Sequence, residues 1–146
     1  MFMVTRNLRR WRDRGAAAVE FALVVGPLVF LIFGSIEFGM YIQARTMTEN
    51  AAREGVRVAS LEGTMATGQA DAVAAAKNAV SSLYPVPLVV VVCKTPGGVT
   101  CTMGTTGAAT NVATVTVTLA YTGITGIIPS TWIKPIIASS YMRIEG

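Results

Sequence analysis

Reactive side chains are few in this sequence, and they fall at three places. Glu20 is a carboxylate near the start of a long apolar run, the Gly15–Ala16 bond is flanked by small residues, and Cys93 and Cys101 are the two cysteines. The chain has no histidine, so the commonest general base and the commonest metal ligand are missing. The serines, threonines and carboxylates are scattered, without a histidine to activate them. We therefore expect no catalytic residue, no cofactor, no metal site and no enzymatic activity.

The position of Glu20 is unusual because residues 21–36 contain no charged side chain. A carboxylate inside an apolar helix is costly unless it is paired. Glu20 either pairs with a cation of a neighbouring subunit or simply reaches the lipid headgroups at the membrane edge. The residues alone do not favour one interpretation over the other.

The charge of the chain is concentrated before Ala16. Residues 1–15 hold five arginines against one aspartate, and the remaining basic and acidic residues balance. This basic excess predicts a cytoplasmic N-terminus and a C-terminal part across the membrane, and it does not predict a nucleic-acid partner. The flank either fixes orientation only, or it is a leader that is cut after Gly15, where glycine beside small residues offers a protease an extended backbone. The far end of the apolar run lacks the small-residue motif of a cleaved secretory signal.

A long helix must position these residues. At about 1.5 Å per residue, residues 16–36 form a helix of roughly 32 Å, enough to cross a hydrocarbon core of about 30 Å. Residues 37–62 continue as an amphipathic helix, with Glu49–Arg53 and Glu54–Arg57 as ion pairs on a solvated face. Gly63 is available as a left-handed cap. The predicted apolar positions of this second part are Phe38, Tyr41, Ile42, Ala52, Val56 and Ala59.

The remaining residues, 63–146, are expected to form an exported α+β domain. Residues 69–83 predict a second helix with a periodic face, and β-branched runs predict a small antiparallel sheet of three to four strands packed on both helices. Trp132, in the loop before the last strand, is expected as a core plug or a membrane-interface anchor. The periodic face of the second helix is Ala70, Val73, Ala74, Lys77 and Val80, and the predicted strands are 88–93, 99–103, 111–121 and 136–144.

The two cysteines flank a short turn between two of these strands. If residues 88–93 and 99–103 form a hairpin, Cys93 and Cys101 face each other, and outside the cytoplasm such a pair usually oxidises. The spacing alone also allows two reduced thiols. We expect a disulfide.

The N-terminal third resembles a known family. The stretch RGAAAVEFALVVGPLVFLIFGSIEFG, followed by QARTMTENAAREGVRVAS, is similar to the TadE-like family of minor pilins or pseudopilins of the tight-adherence (Flp-type) type IV pilus. The resemblance is tightest over residues 14–60, and the ending YMRIEG is similar to the usual last strand of that family.

The resemblance implies roles for individual residues. A membrane-embedded prepilin peptidase would cut between Gly15 and Ala16, and Glu20, the fifth residue after that bond, matches the family's glutamate. The Ala16 ammonium of one subunit would then pair with Glu20 of its neighbour. The resemblance therefore favours assembly over a passive position at the membrane edge.

The sequence and this resemblance together imply a single-pass protein of the bacterial inner membrane, with a leader (1–15), a transmembrane helix (16–36), an amphipathic extension (37–62) and a periplasmic domain (63–146). The expected function is that of a pseudopilin in pilus assembly or anchoring, with possible incorporation into the surface pilus. The expected partners are sibling pseudopilins, the major pilin, the inner-membrane assembly platform, the prepilin peptidase and membrane lipid. The alternative is an unprocessed, membrane-anchored periplasmic binding module.

Overall fold

The computed structural model describes residues 5–80, 82, 84–104, 110–123 and 132–145. The chain divides into two compact units, Met1–Gly39 and Met40–Gly146. The α+β fold predicted from the sequence is confirmed, with two helices and a four-stranded antiparallel sheet. The elements are α1 (Thr5–Glu62), α2 (Gly68–Asn78), β1 (Leu88–Lys94), β2 (Thr100–Cys101), β3 (Val112–Leu119) and β4 (Ile136–Arg143).

The first unit contains the apolar part of α1. In the part of the chain that the structure describes, α1 is the one helix long and apolar enough to cross a membrane, by its length and composition. The helix continues through Pro27. It already begins at Thr5, so the backbone at Gly15–Ala16 is helical, and the extended backbone expected there is wrong.

The second unit is built around the later turns of α1. The buried face of this part consists mostly of alanine, which lets the sheet and α2 approach closely. Phe38 and Ile42, predicted as apolar positions of this face, are exposed. The buried apolar residues of α1 are Ala44, Ala51, Ala52, Val56 and Ala59.

The exposed face of α1 carries ion pairs. The predicted pair of Glu54 and Arg57 is present, at 2.7 Å between Oε1 and Nη2. Glu49 pairs instead with Arg45, at 3.2 Å between Oε1 and Nε, so its predicted pairing with Arg53 is wrong. Arg45 and Arg53 are each four positions from Glu49, one on either side, and both are neighbours of Glu49 on the helix surface. Sequence spacing alone therefore does not show which arginine pairs with Glu49.

The sheet has the strand order β2-β1-β3-β4, with every neighbouring pair antiparallel. On β3, alternate residues are buried against the helices and half-exposed on the outer face, as period-two alternation predicts. The predicted inner face is confirmed. Its buried residues are Ala113, Val115, Val117, Leu119 and, beyond the strand end, Tyr121.

The second strand is shorter than the predicted 99–103. The backbone N–H of Thr95 donates to the carbonyl of Val99 at 2.8 Å, and the N–H of Val99 donates to Oγ1 of Thr95 at 3.2 Å. Because the turn uses both backbone groups of Val99, pairing with β1 begins only at Thr100.

The second helix ends at Asn78, earlier than the predicted 83; residues 81 and 83 lie outside the described residues. Its buried side is formed by Ala72 and Ala76, whereas Ala70, Ala74 and Lys77 of the predicted face are exposed. Alanines occupy both sides of this helix, so the sequence has little hydrophobic contrast from which to choose a face.

Gly63 does not have the left-handed conformation predicted for a cap. Among the described residues, the glycines with positive φ are Gly98 and Gly104. Gly63 is instead tightly packed: a Cβ there would lie 2.5 Å from the carbonyl oxygen of Ala59 and 2.8 Å from Cγ2 of Ile144. The absence of a side chain thus lets the end of α1 approach the C-terminal segment.

Candidate processing and assembly site

The predicted site residues of the N-terminal segment lie together on α1. Ala16 and Glu20 are four residues apart in the helix, and residues at this spacing are neighbours on one helix face. A shallow groove on the helix surface is lined by Gly15, Ala16, Val19, Glu20, Leu23 and Val24. The structure therefore brings the predicted cleavage bond and the predicted assembly carboxylate into one local surface.

The surroundings of this surface are apolar and exposed. Phe21 is 70% exposed and Leu23 is 72% exposed, so the folded chain itself does not cover them. Glu20 is also exposed and forms no ion pair with any side chain that the structure describes. An apolar helix surface of this kind is covered either by lipid or by another helix.

The helix direction determines what the Glu20 carboxylate can reach. Side chains on an α-helix point back towards its N-terminus, so Glu20 lies over the turn that contains Ala16. Hydrolysis of the Gly15–Ala16 bond would create an ammonium group at Ala16. The helix dipole favours an anion near the N-terminus of a helix, and the Glu20 carboxylate would lie over the first turn of the cut chain. The geometry thus provides a carboxylate and a new cation one turn apart.

The two cysteines lie on adjacent antiparallel strands. Cys93 of β1 and Cys101 of β2 are directly opposite in the register, their Cα atoms are 5.0 Å apart, and the structure joins them as a disulfide. Cys93 is buried in the core cluster that also contains Met103 and Val91. Within the described residues, no group of three or more side chains could hold a metal ion.

An aromatic cluster near the start of the second unit has no counterpart in the sequence analysis. The rings of Tyr41 and Tyr121 meet edge to face with centroids 5.6 Å apart, and Tyr84 lies 6.3 Å from Tyr121. The Tyr84 hydroxyl donates to the carbonyl of Met40 at 3.3 Å. The three tyrosines are far apart in the sequence, and periodicity within one element cannot group them. Trp132, in contrast, is 79% exposed, so its expected role as a core plug is wrong.

Comparison with known proteins bears on the N-terminal segment. The family model described as TadE-like protein matches residues 15–57. No curated protein and no solved structure matches the chain. The matched segment begins at Gly15, contains Ala16 and Glu20, and ends within the amphipathic part of α1. The resemblance inferred from the sequence is therefore confirmed over residues 15–57, the segment of this chain that is similar to the TadE-like family.

Proposed function

We propose that the protein is a pilin-like minor subunit, or pseudopilin, that takes part in assembling or anchoring a tight-adherence type IV pilus. The observation that carries this proposal is the position of Glu20. Its carboxylate is exposed on an apolar helix, makes no ion pair with a described side chain, and lies one turn from Ala16.

Processing after Gly15 is the first step of the proposed function. The arginine-rich residues 1–15 stay in the cytoplasm by the positive-inside rule, and the second unit is exported to the periplasm. A prepilin peptidase removes residues 1–15 and leaves Ala16 as the new N-terminus. Because the Gly15–Ala16 backbone is helical in the structure, the peptidase must unwind this turn locally to reach the bond.

Pairing between subunits is the second step. In an apolar bundle, removal of one partner leaves the other charge uncompensated, which costs about 3–5 kcal/mol in buried pairs. An ammonium at Ala16 of one subunit and Glu20 of the next satisfy each other, and this pairing fixes the axial register of the two helices. A helix without such a partner stays in the membrane, where water and headgroups solvate Glu20.

The partners follow from the same surface. Sibling pseudopilins and the major pilin cover the exposed apolar side chains of α1 in the assembled state, and membrane lipid covers them before assembly. The inner-membrane platform acts on the subunit at this stage. The exposed residues in question include Val19, Phe21, Leu23, Val24 and Phe30.

A second candidate function rests on the continuity of α1. The helix runs from Thr5 through the Gly15–Ala16 bond without interruption, and an uncut chain of this form is a membrane-anchored periplasmic binding module. In that case Glu20 remains at the membrane edge and has no role in subunit pairing.

The N-terminus of the mature protein separates the two candidates. Protein isolated from native cells is analysed by intact mass and N-terminal sequencing. The pseudopilin proposal expects a chain that begins at Ala16. A mature chain that still begins at Met1 contradicts it and favours the anchored module.

A further inference from the structure

Exposed apolar side chains gather at one end of the second unit. Val86 is 80% exposed and Trp132 is 79% exposed, and Leu88 and Ile137 are also exposed. Leu88 of β1 and Ile137 of β4 both pair with Thr118 of β3, so they flank this residue on the outer face of the sheet. We call Val86, Leu88, Trp132 and Ile137 the apolar collar.

The residues beside the collar are held in place by the core. Ile136 belongs to the buried hydrophobic cluster that contains Ala44 and Leu119, and the partly buried Tyr84 and Ile133 pack against that cluster. Val86, Trp132 and Ile137 are each within two positions of one of these packed residues. Leu88 is in register with Thr118, the neighbour of the buried Leu119. The collar is therefore presented by a packed framework.

This framework includes the first residues of the second unit. Met40 and Tyr41 pack against the same cluster, and the Tyr84 hydroxyl donates to the Met40 carbonyl. Met40 directly follows the last residue of the unit that contains the apolar helix. The chain therefore enters the second unit beside the cluster that holds the collar.

The charges at this end suit a lipid surface. Residues 84–88 carry no charge, and in residues 132–137 the single charged side chain is the exposed Lys134. Tryptophan and tyrosine are enriched at the membrane–water interface, and lysine suits anionic headgroups. An acidic side chain, which such headgroups would repel, is missing from both of these segments.

We infer that the apolar collar rests in the headgroup region of the bilayer in which α1 is anchored, with Lys134 directed to anionic lipid. The contact orients the exported domain on the membrane surface before assembly. This inference depends on the membrane anchor, and it holds whether or not Gly15–Ala16 is cut or Glu20 pairs with a neighbour.

Tryptophan fluorescence tests the contact in the full chain. The chain has two tryptophans, and Trp11→Phe leaves Trp132 as the only one. The variant is reconstituted in vesicles of zwitterionic lipid with an anionic fraction, and quenching by lipids brominated near the headgroup end of the acyl chain is compared with quenching by aqueous acrylamide. We expect a blue-shifted emission, loss of intensity with the brominated lipid and weak quenching by acrylamide.

A matched control places tryptophan at the opposite end of the sheet. Val99 is exposed in the turn that follows β1, and the six steps from Leu88 to Lys94 cover about 20 Å at 3.3 Å per strand residue. The control chain combines Trp11→Phe and Trp132→Phe with Val99→Trp. We expect it to be quenched by acrylamide and unaffected by brominated lipid. Formation of the disulfide in both chains reports that each has folded.

Two results would overturn the inference. If Trp132 is quenched by acrylamide as strongly as the control and is unaffected by brominated lipid, the collar is in water. If Trp132 is shielded from both quenchers, and this shielding fades as the lipid-to-protein ratio rises, the collar is a contact between copies of the chain.

Discussion

Gly55 of α1 and Ala76 of α2 face each other so closely that a Cβ at Gly55 would lie 2.9 Å from the Cβ of Ala76. The same Cβ would lie 3.0 Å from Cγ1 of Val115 on β3. Gly55 is thus the position at which α1, α2 and the sheet meet, and its missing side chain sets how near they come.

Gly55→Ala should therefore destabilise the second unit, because one of three packed elements must shift. Overpacking of this kind costs about 1–3 kcal/mol in well-packed cores. The measurement is the thermal midpoint of the detergent-solubilised protein, followed by circular dichroism. Gly97→Ala is the control, since the nearest atom to its new Cβ is 4.0 Å away. Equal midpoints for the two variants would show that α1 and α2 have room to move apart.

Gly15→Leu should block removal of the leader, because the peptidase that we propose needs a small residue before the cut bond. The variant should accumulate as a precursor that retains residues 1–15, detected by intact mass. Gly34→Leu is a matched control: Gly34 is another glycine of α1, and a Cβ there meets nothing within 4 Å. Normal processing of the Gly15 variant would show that the peptidase does not recognise Gly15.

Glu20→Gln separates subunit assembly from membrane anchoring. The variant keeps the size and part of the hydrogen bonding of the side chain and removes its charge, so membrane insertion should survive or become easier, since a charge at the centre of a membrane helix costs about 2.5–3.5 kcal/mol. Association should fail, because in the proposed pairing the Ala16 ammonium of a neighbour loses its counter-charge. The measurement is co-purification of the mature variant with pilin partners, together with pilus counts on cells.

Two further variants make the Glu20 test specific. Glu20→Ala should give the same loss as Glu20→Gln, and Asp71→Asn, which removes an exposed carboxylate from α2, should assemble normally. If both Glu20 variants co-purify and form pili at normal levels, Glu20 is a bystander at the membrane edge.

Cys93 and Cys101 should be unreactive towards a thiol reagent in protein isolated without reductant, and both should react after reduction and unfolding. Closing a short loop, here with a sequence separation of 8, stabilises by about 2–3 kcal/mol in the chain-entropy model. The double variant Cys93→Ser and Cys101→Ser should accordingly unfold at a lower temperature. Labelling of both thiols in the unreduced native protein would rule out the disulfide.

The ion pair on α1 gives a prediction for pH. The hydrogen bond from Arg57 lowers the pKa of Glu54 below its ordinary value. Because the pKa of Glu54 is lower in the folded state than in the unfolded state, the ion pair stabilises the fold at pH values above the ordinary pKa of glutamate. This stabilisation is lost as the pH falls through the lowered pKa. Arg57→Gln should return the pKa of Glu54 towards its ordinary value in a carboxyl NMR titration. Arg45→Gln, which removes the partner of Glu49, should leave the Glu54 titration unchanged.

The elements with strong periodicity were predictable from the sequence. β3 alternates valine and threonine, and its inner face, from Ala113 to Tyr121, is buried as predicted. The apolar length of α1 and the motif around Glu20 led to the family that the comparison confirmed over residues 15–57. These features depend on local pattern, which a sequence shows directly.

The features that sequence analysis missed depend on contacts between distant residues. The predicted buried face of α2 was wrong, because alanines on both sides of the helix give no contrast in hydrophobicity. The structure identifies Ala76 as buried because it packs against Gly55 of α1. The cluster of Tyr41, Tyr84 and Tyr121 joins α1 to the segment before β1 and the segment after β3. Trp132 lies before the start of β4 and is exposed. The residues next to it in the sequence do not reveal this exposure.

The later turns of α1 form part of the buried core of the second unit, so a protease that removes them would expose that core. A cut after Glu62 would release a fragment without the alanine-rich face of α1, and Val115 and Val117 would then face water. Such a fragment should unfold and be degraded, so cleavage at this point should not release an intact domain. A fragment that begins at Met40 keeps the whole second unit and is the shortest soluble form that we expect to remain folded.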